Sequence, residues 1–156
     1  MTSLDAIRNA CEAFLAQIQG QKEDRMEHLR ELAKSFDKLT ATYFEVDDVE
    51  PDSEDSLAPP IDYVVLYKRA ANAFPELGCY PAIDVGGTLG EEEALVADAI
   101  DDLADIARDL SEVLWHIEKS SEADAIWEFR FGYQSHWGAH LHRLRHYLHS
   151  SRIAAW

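Results

Sequence analysis

The most restrictive feature of the sequence is the long segment 126–149, whose apolar residues recur at helical spacing. On a helical wheel with about 100° per residue, its core-facing residues fall within one quarter of the circle: Tyr133, Trp137, Leu141, Leu144 and Leu148. An apolar face this narrow must pack against other elements. We therefore predict that residues 126–149 form one long helix in an all-α protein.

Other segments show the same periodicity. They predict a helix at 3–19 that ends at Gly20, a helix at 22–44, a shorter helix at 61–74 and a long helix that ends at Lys119. Residues 80–85 are expected to be extended, but no segment is a convincing sheet. A length of 156 residues with 47% hydrophobic residues predicts one domain, 1–156. We predict an all-α bundle of four to five helices, mostly antiparallel because the connections after Gly20 and Lys119 are short.

The glycine-rich segment 86–90 has the spacing of a phosphate loop but not its chemistry. The lysine that follows the last glycine in such loops is replaced by three glutamates beginning at Glu91. Thr88 and Glu91 have instead the spacing of a capping box, and the acidic residues suit the positive end of a helix. We therefore interpret Thr88 as the start of the helix that ends at Lys119.

Residues 45–60, between helices 2 and 3, form the clearest interruption of these patterns. The segment has seven acidic residues, three prolines and no basic residue. Such a composition cannot bury enough apolar surface to fold by itself. We interpret the segment as a disordered acidic loop, with an interaction tail as the alternative.

The charge of the chain disfavours two classes of partner. It has 30 acidic and 14 basic residues, which gives a formal net charge of −16. Nucleic acids and anionic membranes are bound through clustered Lys and Arg, so neither is expected. Cys11 and Cys79 lack metal-like spacing and indicate a reducing compartment. Without a signal peptide or an apolar run of the ~18 residues that span a bilayer, the sequence indicates a soluble cytoplasmic protein.

Arg130 lies within the apolar face of the last predicted helix, where an unpaired guanidinium would be costly. The segment 98–110 carries aspartates at helical spacing and has the opposite charge. If the two helices pack antiparallel, Asp102 or Asp105 can reach Arg130. We predict a structural ion pair of Arg130 with one of these carboxylates.

A metal site is the sharper interpretation of the same aspartates. His136 and His140 are four residues apart, a spacing that lets two imidazoles share a metal ion. Asp98, Asp102, Asp105 and Asp109 form an acidic stripe. The remaining ligands would be carboxylate oxygens of Asp98, Asp101, Asp102 and Asp105. The Glu-x-x-His motif of di-iron bundles is absent from the sequence, so a solvated acidic face is the competing interpretation. A second histidine stripe, His142, His146 and His149, is expected to be exposed.

Three motifs resemble a known family: LYKRAANAFPELG at 66–78, AIDDLADIARDL at 99–110 and WEFRFGYQSHWGAHL at 127–141. They resemble the bacterial domain-of-unknown-function family 5063 in its short, single-domain form. The resemblance implies a small bacterial helical protein with no assigned activity. It supplies no catalytic residues to transfer to this sequence.

Two functions from different classes follow from these observations. The leading hypothesis is an acidic protein-interaction or accessory module, without catalytic activity or cofactor, that binds an unknown protein partner or a second copy of itself. The alternative is a bundle that binds a divalent metal, extending to a metal-dependent hydrolase. The alternative requires His136, His140 and the carboxylates between Asp98 and Asp105 to converge on one cleft.

Overall fold

The computed structural model describes residues 1–53 and 57–150. Within these residues the chain has six helices and one two-stranded sheet. In order, the elements are α1 Ser3–Gln17, α2 Arg25–Glu45, α3 Tyr63–Ala73, β1 Cys79–Ala82, β2 Leu95–Asp98, α4 Ala99–Lys119, α5 Glu122–Ser135 and α6 Trp137–His149. The mainly helical class is confirmed, whereas the predicted number of helices was too low and the sheet was missed.

Helix α4 is the centre of the fold and packs against α1, α3, α5 and α6. Its predicted apolar stripe explains this position, because Leu103, Ala107 and Leu110 have no exposed surface. Full burial of a Leu side chain contributes roughly 1.5–3 kcal/mol relative to exposure. The stripe therefore fixes the rotation of α4 and, with it, the direction of the polar residues on the same helix. None of the helices in the described ranges combines the length and apolar character needed to cross a membrane.

The N-terminal end of α4 differs from the prediction. Thr88 and Glu91 form a turn, in which the Glu91 N–H donates to the Thr88 carbonyl at 3.0 Å. The chain then continues as β2, which pairs antiparallel with β1 so that Cys79 lies opposite Asp98. The helix begins after Asp98, whose Oδ1 accepts the N–H of Ile100 at 2.9 Å. The predicted start at Thr88 was wrong because this later aspartate caps the helix while the pairing with β1 satisfies the preceding backbone.

The segment predicted as one helix, 126–149, is divided into α5 and α6 at His136. Two glycines flank the break, and each has another group where a Cβ would lie. A Cβ on Gly138 would be 2.1 Å from the Tyr133 carbonyl oxygen, and one on Gly132 would be 2.7 Å from the Trp137 indole. The single-helix prediction was wrong because the apolar periodicity continues across the break, whereas the close approach of Tyr133 and Trp137 to these glycines is a tertiary contact. After the break, α6 packs on α4 and α2.

The acidic loop is held in place along its first half. Val46 is buried, and the N–H groups of Asp52 and Ser53 donate to Asp124 Oδ1 at 2.8 and 3.0 Å. Since Asp124 belongs to the first turn of α5, the loop is tied to a helix distant from it in sequence. Residues 46–53 are therefore an ordered connection rather than the predicted disordered one. Residues 54–56 of the loop lie outside the described residues.

Arg130 binds the C-terminal end of α2. Its Nη1 donates to the carbonyl oxygens of Tyr43 at 2.8 Å and Val46 at 2.5 Å, and its guanidinium lies over the Tyr43 ring, 4.6 Å from the centroid. Its ion-pair partner is an aspartate of the acidic loop. The predicted pair with Asp102 or Asp105 was wrong, because the last carbonyls of a helix lack intrahelical donors and attract a cation.

Candidate metal centre

One face of α4 supplies the acidic residues of the candidate site. Asp102, Asp105 and Asp109 are spaced at i, i+3 and i+7, which places them on one side of the helix. His136 at the α5–α6 junction and His140 on α6 contact this side. The fold therefore brings together histidines and carboxylates that are 27 and 38 residues apart in the sequence.

His140 lies between two aspartates. Its Nδ1 is 2.6 Å from Asp102 Oδ1, and its Nε2 is 3.7 Å from Asp105 Oδ2. Because the buried Asp102 carboxylate accepts a hydrogen bond at this distance, the proton of a neutral His140 ring belongs on Nδ1. That tautomer leaves the lone pair of Nε2 near Asp105. Two electron-rich atoms then lie close together, an arrangement that a cation or an added proton stabilises.

His136 repeats this arrangement four residues earlier. Its Nδ1 is 2.5 Å from Asp109 Oδ2, so Nε2 is again the nitrogen left free. The rings of His136 and His140 are nearly perpendicular, with centroids 4.8 Å apart. The His136 side chain is 40% exposed, compared with 16% for His140. The site therefore opens to solvent on the His136 side.

Asp105, His136 and His140 together form a set of potential ligands. One ligand atom from each residue lies within 4.8 Å of the others. Ligands of a tetrahedral zinc ion with bonds of about 2.0–2.1 Å are roughly 3.3 Å apart, so modest side-chain rotations suffice to close the set. Two imidazoles and one carboxylate suit Zn²⁺ and, with open positions, Fe²⁺.

Asp102 supports the site from the protein interior. Its Oδ2 accepts the Tyr80 hydroxyl at 2.5 Å, while its Oδ1 binds His140. Burial raises the pKa of Tyr80, and the hydrogen bond to Asp102 raises it further, so the hydroxyl remains a donor at neutral pH. With both oxygens occupied, Asp102 orients His140 and is not placed to be a ligand itself.

Asp98 and Asp101 are bound by tyrosines of α3. Asp98 accepts the Tyr67 hydroxyl at 3.0 Å through the oxygen that does not cap α4. Asp101 accepts the hydroxyl of Tyr63. Burial raises the pKa of Asp101, and the negative charges of the neighbouring aspartates on α4 add to this effect. These two carboxylates form the edge of the acidic face and not part of the ligand set.

Arg108 offsets part of the negative charge of the site. Its Nη2 is 2.9 Å from Asp105 Oδ1, and its Nε is 3.5 Å from Asp109 Oδ1. The other oxygen of Asp105, Oδ2, is the one nearer to His140. Arg108 and a metal ion can therefore use different oxygens of the same carboxylate.

The structure brings together three of the six residues predicted as metal ligands: Asp105, His136 and His140. Asp109 was not predicted as a partner of the site, although it belongs to the same acidic stripe. The tyrosines that bind the other aspartates were also missed, because they come from α3 and β1 and no spacing in the sequence signals their approach. The second histidine stripe, His142, His146 and His149, is exposed as predicted.

Comparisons with known proteins define the relationship of the chain to others. The family model described as "Domain of unknown function (DUF5063)" matches residues 2–154. Among solved structures, the chain is similar to the crystal structure of protein BF1032 from Bacteroides fragilis, with a TM-score of 0.68 and 19% sequence identity over 94% of this chain and 87% of that chain. At this identity the similarity shows the fold alone. No match was found among curated proteins.

Proposed function

Because the chain belongs to the DUF5063 family, whose description states no activity, we propose its function from the geometry of the site. The protein is a divalent-metal-binding helical bundle with Asp105, His136 and His140 as ligands. The observation that carries this proposal is that a carboxylate binds Nδ1 of both imidazoles. Metal-bound histidines almost always have such a second partner, which fixes the tautomer and the orientation of the ring.

The donor set also indicates what the centre can do chemically. Three protein ligands leave at least one coordination position of a zinc-like ion for water or substrate. A water bound at that position becomes acidic enough to supply hydroxide near neutral pH. Metal-dependent hydrolysis is therefore the reaction class that this proposal extends to, and it requires metal binding first.

The test is a thermal melt of metal-free protein with and without Zn²⁺, Mn²⁺ and Mg²⁺. A ligand that binds the folded state raises its stability, by about 2.7 kcal/mol when its concentration is 100 times Kd. We expect Zn²⁺ to raise Tm of the wild-type protein. The double variant His136→Ala/His140→Ala should lose this rise.

The control is the double variant His142→Ala/His149→Ala, which removes two exposed histidines of α6. It should retain the full shift in Tm. An equal rise in Tm in the two variants, or a rise lost only in the control variant, would mean that zinc binds away from His136 and His140, and the proposal would be abandoned. If the shift is specific, nucleotide and phosphoester hydrolysis are assayed with the same variants.

A separate observation supports the interaction role as a second proposed function. The connection between β1 and β2, together with β2, exposes large apolar side chains: Val85 is 92% exposed, Leu89 94% and Val96 82%. Exposed apolar patches commonly mark protein-interaction sites. We propose a second copy of this chain as the partner. Light scattering across a range of concentrations tests this, with Leu89→Asp/Val96→Asp as the variant. A wild-type protein that stays monomeric throughout would contradict it.

A further inference from the structure

A pocket of about 390 Å³ lies between β1 and α6. Residues 80–83 and Val85 form one wall, while Arg143, His146 and Tyr147 of α6 form the other. Small-molecule sites are typically concave, mostly apolar and about 300–1,000 Å³ in volume. The pocket therefore has the size and shape to take a small organic ligand.

The aromatic part of the pocket is rigid. The rings of Tyr80 and Tyr147 stack with centroids 4.5 Å apart and an interplanar angle of 8°. Tyr80 is only 7% exposed, and its hydroxyl is held by the buried Asp102 carboxylate. Side chains that are already ordered lose little conformational entropy when a ligand binds. The flat aromatic edge and the aliphatic side chains of the strand suit an apolar ligand body.

The charge of the pocket is opposite to that of the chain. Among its lining residues Arg143 carries a positive charge, His146 adds an imidazole, and none is a carboxylate. In a protein with a formal net charge of −16, this local reversal favours an anionic ligand group.

Arg143 has unused hydrogen-bonding capacity. Its Nη2 is 3.2 Å from His140 Nδ1, a nitrogen whose proton is already directed to Asp102, and 3.9 Å from the Asp102 carboxylate. Its Nε has no hydrogen-bond partner among the described residues. A guanidinium has five N–H donors in a planar fork that matches a carboxylate. The Nε itself is buried, but the side chain is 38% exposed, so a carboxylate ligand would pair with the Nη donors of the guanidinium.

We propose that this pocket binds a small amphipathic carboxylate. The aliphatic or aromatic body of the ligand lies between the two walls, and its carboxylate pairs with Arg143 at the rim. This proposal does not depend on the metal centre and is tested with metal-free protein.

The first experiment uses 8-anilinonaphthalene-1-sulfonate, an aromatic anion that fluoresces in apolar surroundings. Bound dye is displaced with decanoate and, in parallel, with decanol, which has the same chain but no charge. We expect decanoate to displace the dye at a concentration at least tenfold lower than decanol. Equal potency of the two compounds, or no displacement by decanoate, would overturn the proposal.

Variants then place the binding in this pocket. Ile83→Asp introduces a negative charge at a side chain that is 47% exposed, and Val64→Asp does the same on α3, outside the pocket, at one that is 57% exposed. Decanoate binding should fall at least tenfold in the first variant and remain within twofold of wild type in the second. Arg143→Gln should weaken decanoate at least fivefold while decanol binding is unchanged. Thermal melts check that each variant is folded. An equal loss of decanoate affinity in Ile83→Asp and Val64→Asp would contradict binding in this pocket.

Discussion

The loop anchor around Asp124 and the candidate metal centre around Asp105 both use carboxylates that are largely removed from solvent. In the loop anchor, Asp124 receives only donors: the Ser120 hydroxyl at Oδ2, and the N–H groups of Asp52 and Ser53 at Oδ1. In the metal centre, Asp105 Oδ2 is instead 3.7 Å from the Nε2 of an imidazole.

This difference separates a structural carboxylate from a candidate ligand. Buried polar groups are normally satisfied by hydrogen-bond partners, and a site where acceptors approach one another calls for an explanation. Asp124 needs no further partner, because its donors come from two segments of the chain that it joins. At the Asp105 site a bound cation would supply the missing positive charge. Burial alone does not distinguish the two sites, whereas the partners do.

The largest effect is expected at the junction that builds the metal centre. In Gly138→Ala the new Cβ would lie 2.1 Å from the Tyr133 carbonyl oxygen, so α5 and α6 cannot keep their arrangement. We expect a loss of about 3 kcal/mol in the free energy of unfolding, the upper range for overpacking, measured by urea denaturation. Gly20→Ala, which meets nothing within 4 Å, is the matched control. Comparable stability of the two variants would show that the junction does not depend on the glycine.

The next largest effect is expected at Arg130, which binds the end of α2 and the start of the acidic loop. Arg130→Ala removes the donor to the Tyr43 and Val46 carbonyls, and stranded acceptors of this kind cost about 1–3 kcal/mol. We expect the free energy of unfolding, measured by urea denaturation, to fall by about 2 kcal/mol. Arg30→Ala, at a side chain that is 42% exposed in an i,i+3 pair, should change stability by about 0.5 kcal/mol or less. Zinc binding should be unchanged in both variants, which a loss of affinity in Arg130→Ala would refute.

The sequence was sufficient for the parts of the fold that depend on periodicity. The apolar stripe of α4 is buried at Leu103, Ala107 and Leu110. The sequence was insufficient where a local pattern competes with a tertiary contact. The capping-box spacing at Thr88 was overridden by strand pairing, and the helical pattern around Gly138 by the close approach of Tyr133.

The candidate site was predictable to the same extent. The spacing of His136 and His140 identified two of the residues that the fold brings together, and the aspartates of α4 included the third, Asp105. The role of each aspartate could not be predicted, because it depends on tyrosines that approach from elements distant in sequence. Tyr63, Tyr67 and Tyr80 each bind one of these aspartates. Arg130 was assigned to the wrong partner because a helical wheel of one helix does not show that the end of α2 packs next to it.

A smaller effect, on zinc affinity, is expected to differ between the candidate metal centre and the loop anchor. Asp102→Asn changes a residue that orients His140 without removing a proposed ligand, and loss of such partners typically lowers metal affinity 10–100-fold. We expect a reduction of about tenfold in zinc affinity, measured by competition with a chelating dye. Asp124→Asn, the equivalent change in the loop anchor, should leave zinc affinity within twofold of wild type. Equal affinities in both variants would remove the distinction drawn between these sites.

The smallest effect is a pH dependence confined to the loop anchor. The hydrogen bond from Ser120 lowers the pKa of Asp124 below its ordinary value of 3.8, and the N–H groups of Ser53 and Asp52 lower it further. Because the folded-state pKa is the lower one, this carboxylate contributes stability above the ordinary value and loses it as the pH falls through the folded-state pKa. The stability difference between wild type and Asp124→Asn should therefore narrow during acidification below about pH 4. Urea denaturation across this range measures the difference. Asp47→Asn, at an exposed position of the same loop, is the control for the loss of one carboxylate charge. If the stability difference between wild type and Asp124→Asn did not change with pH, the hydrogen bonds of Asp124 would not distinguish the charged carboxylate from the neutral one.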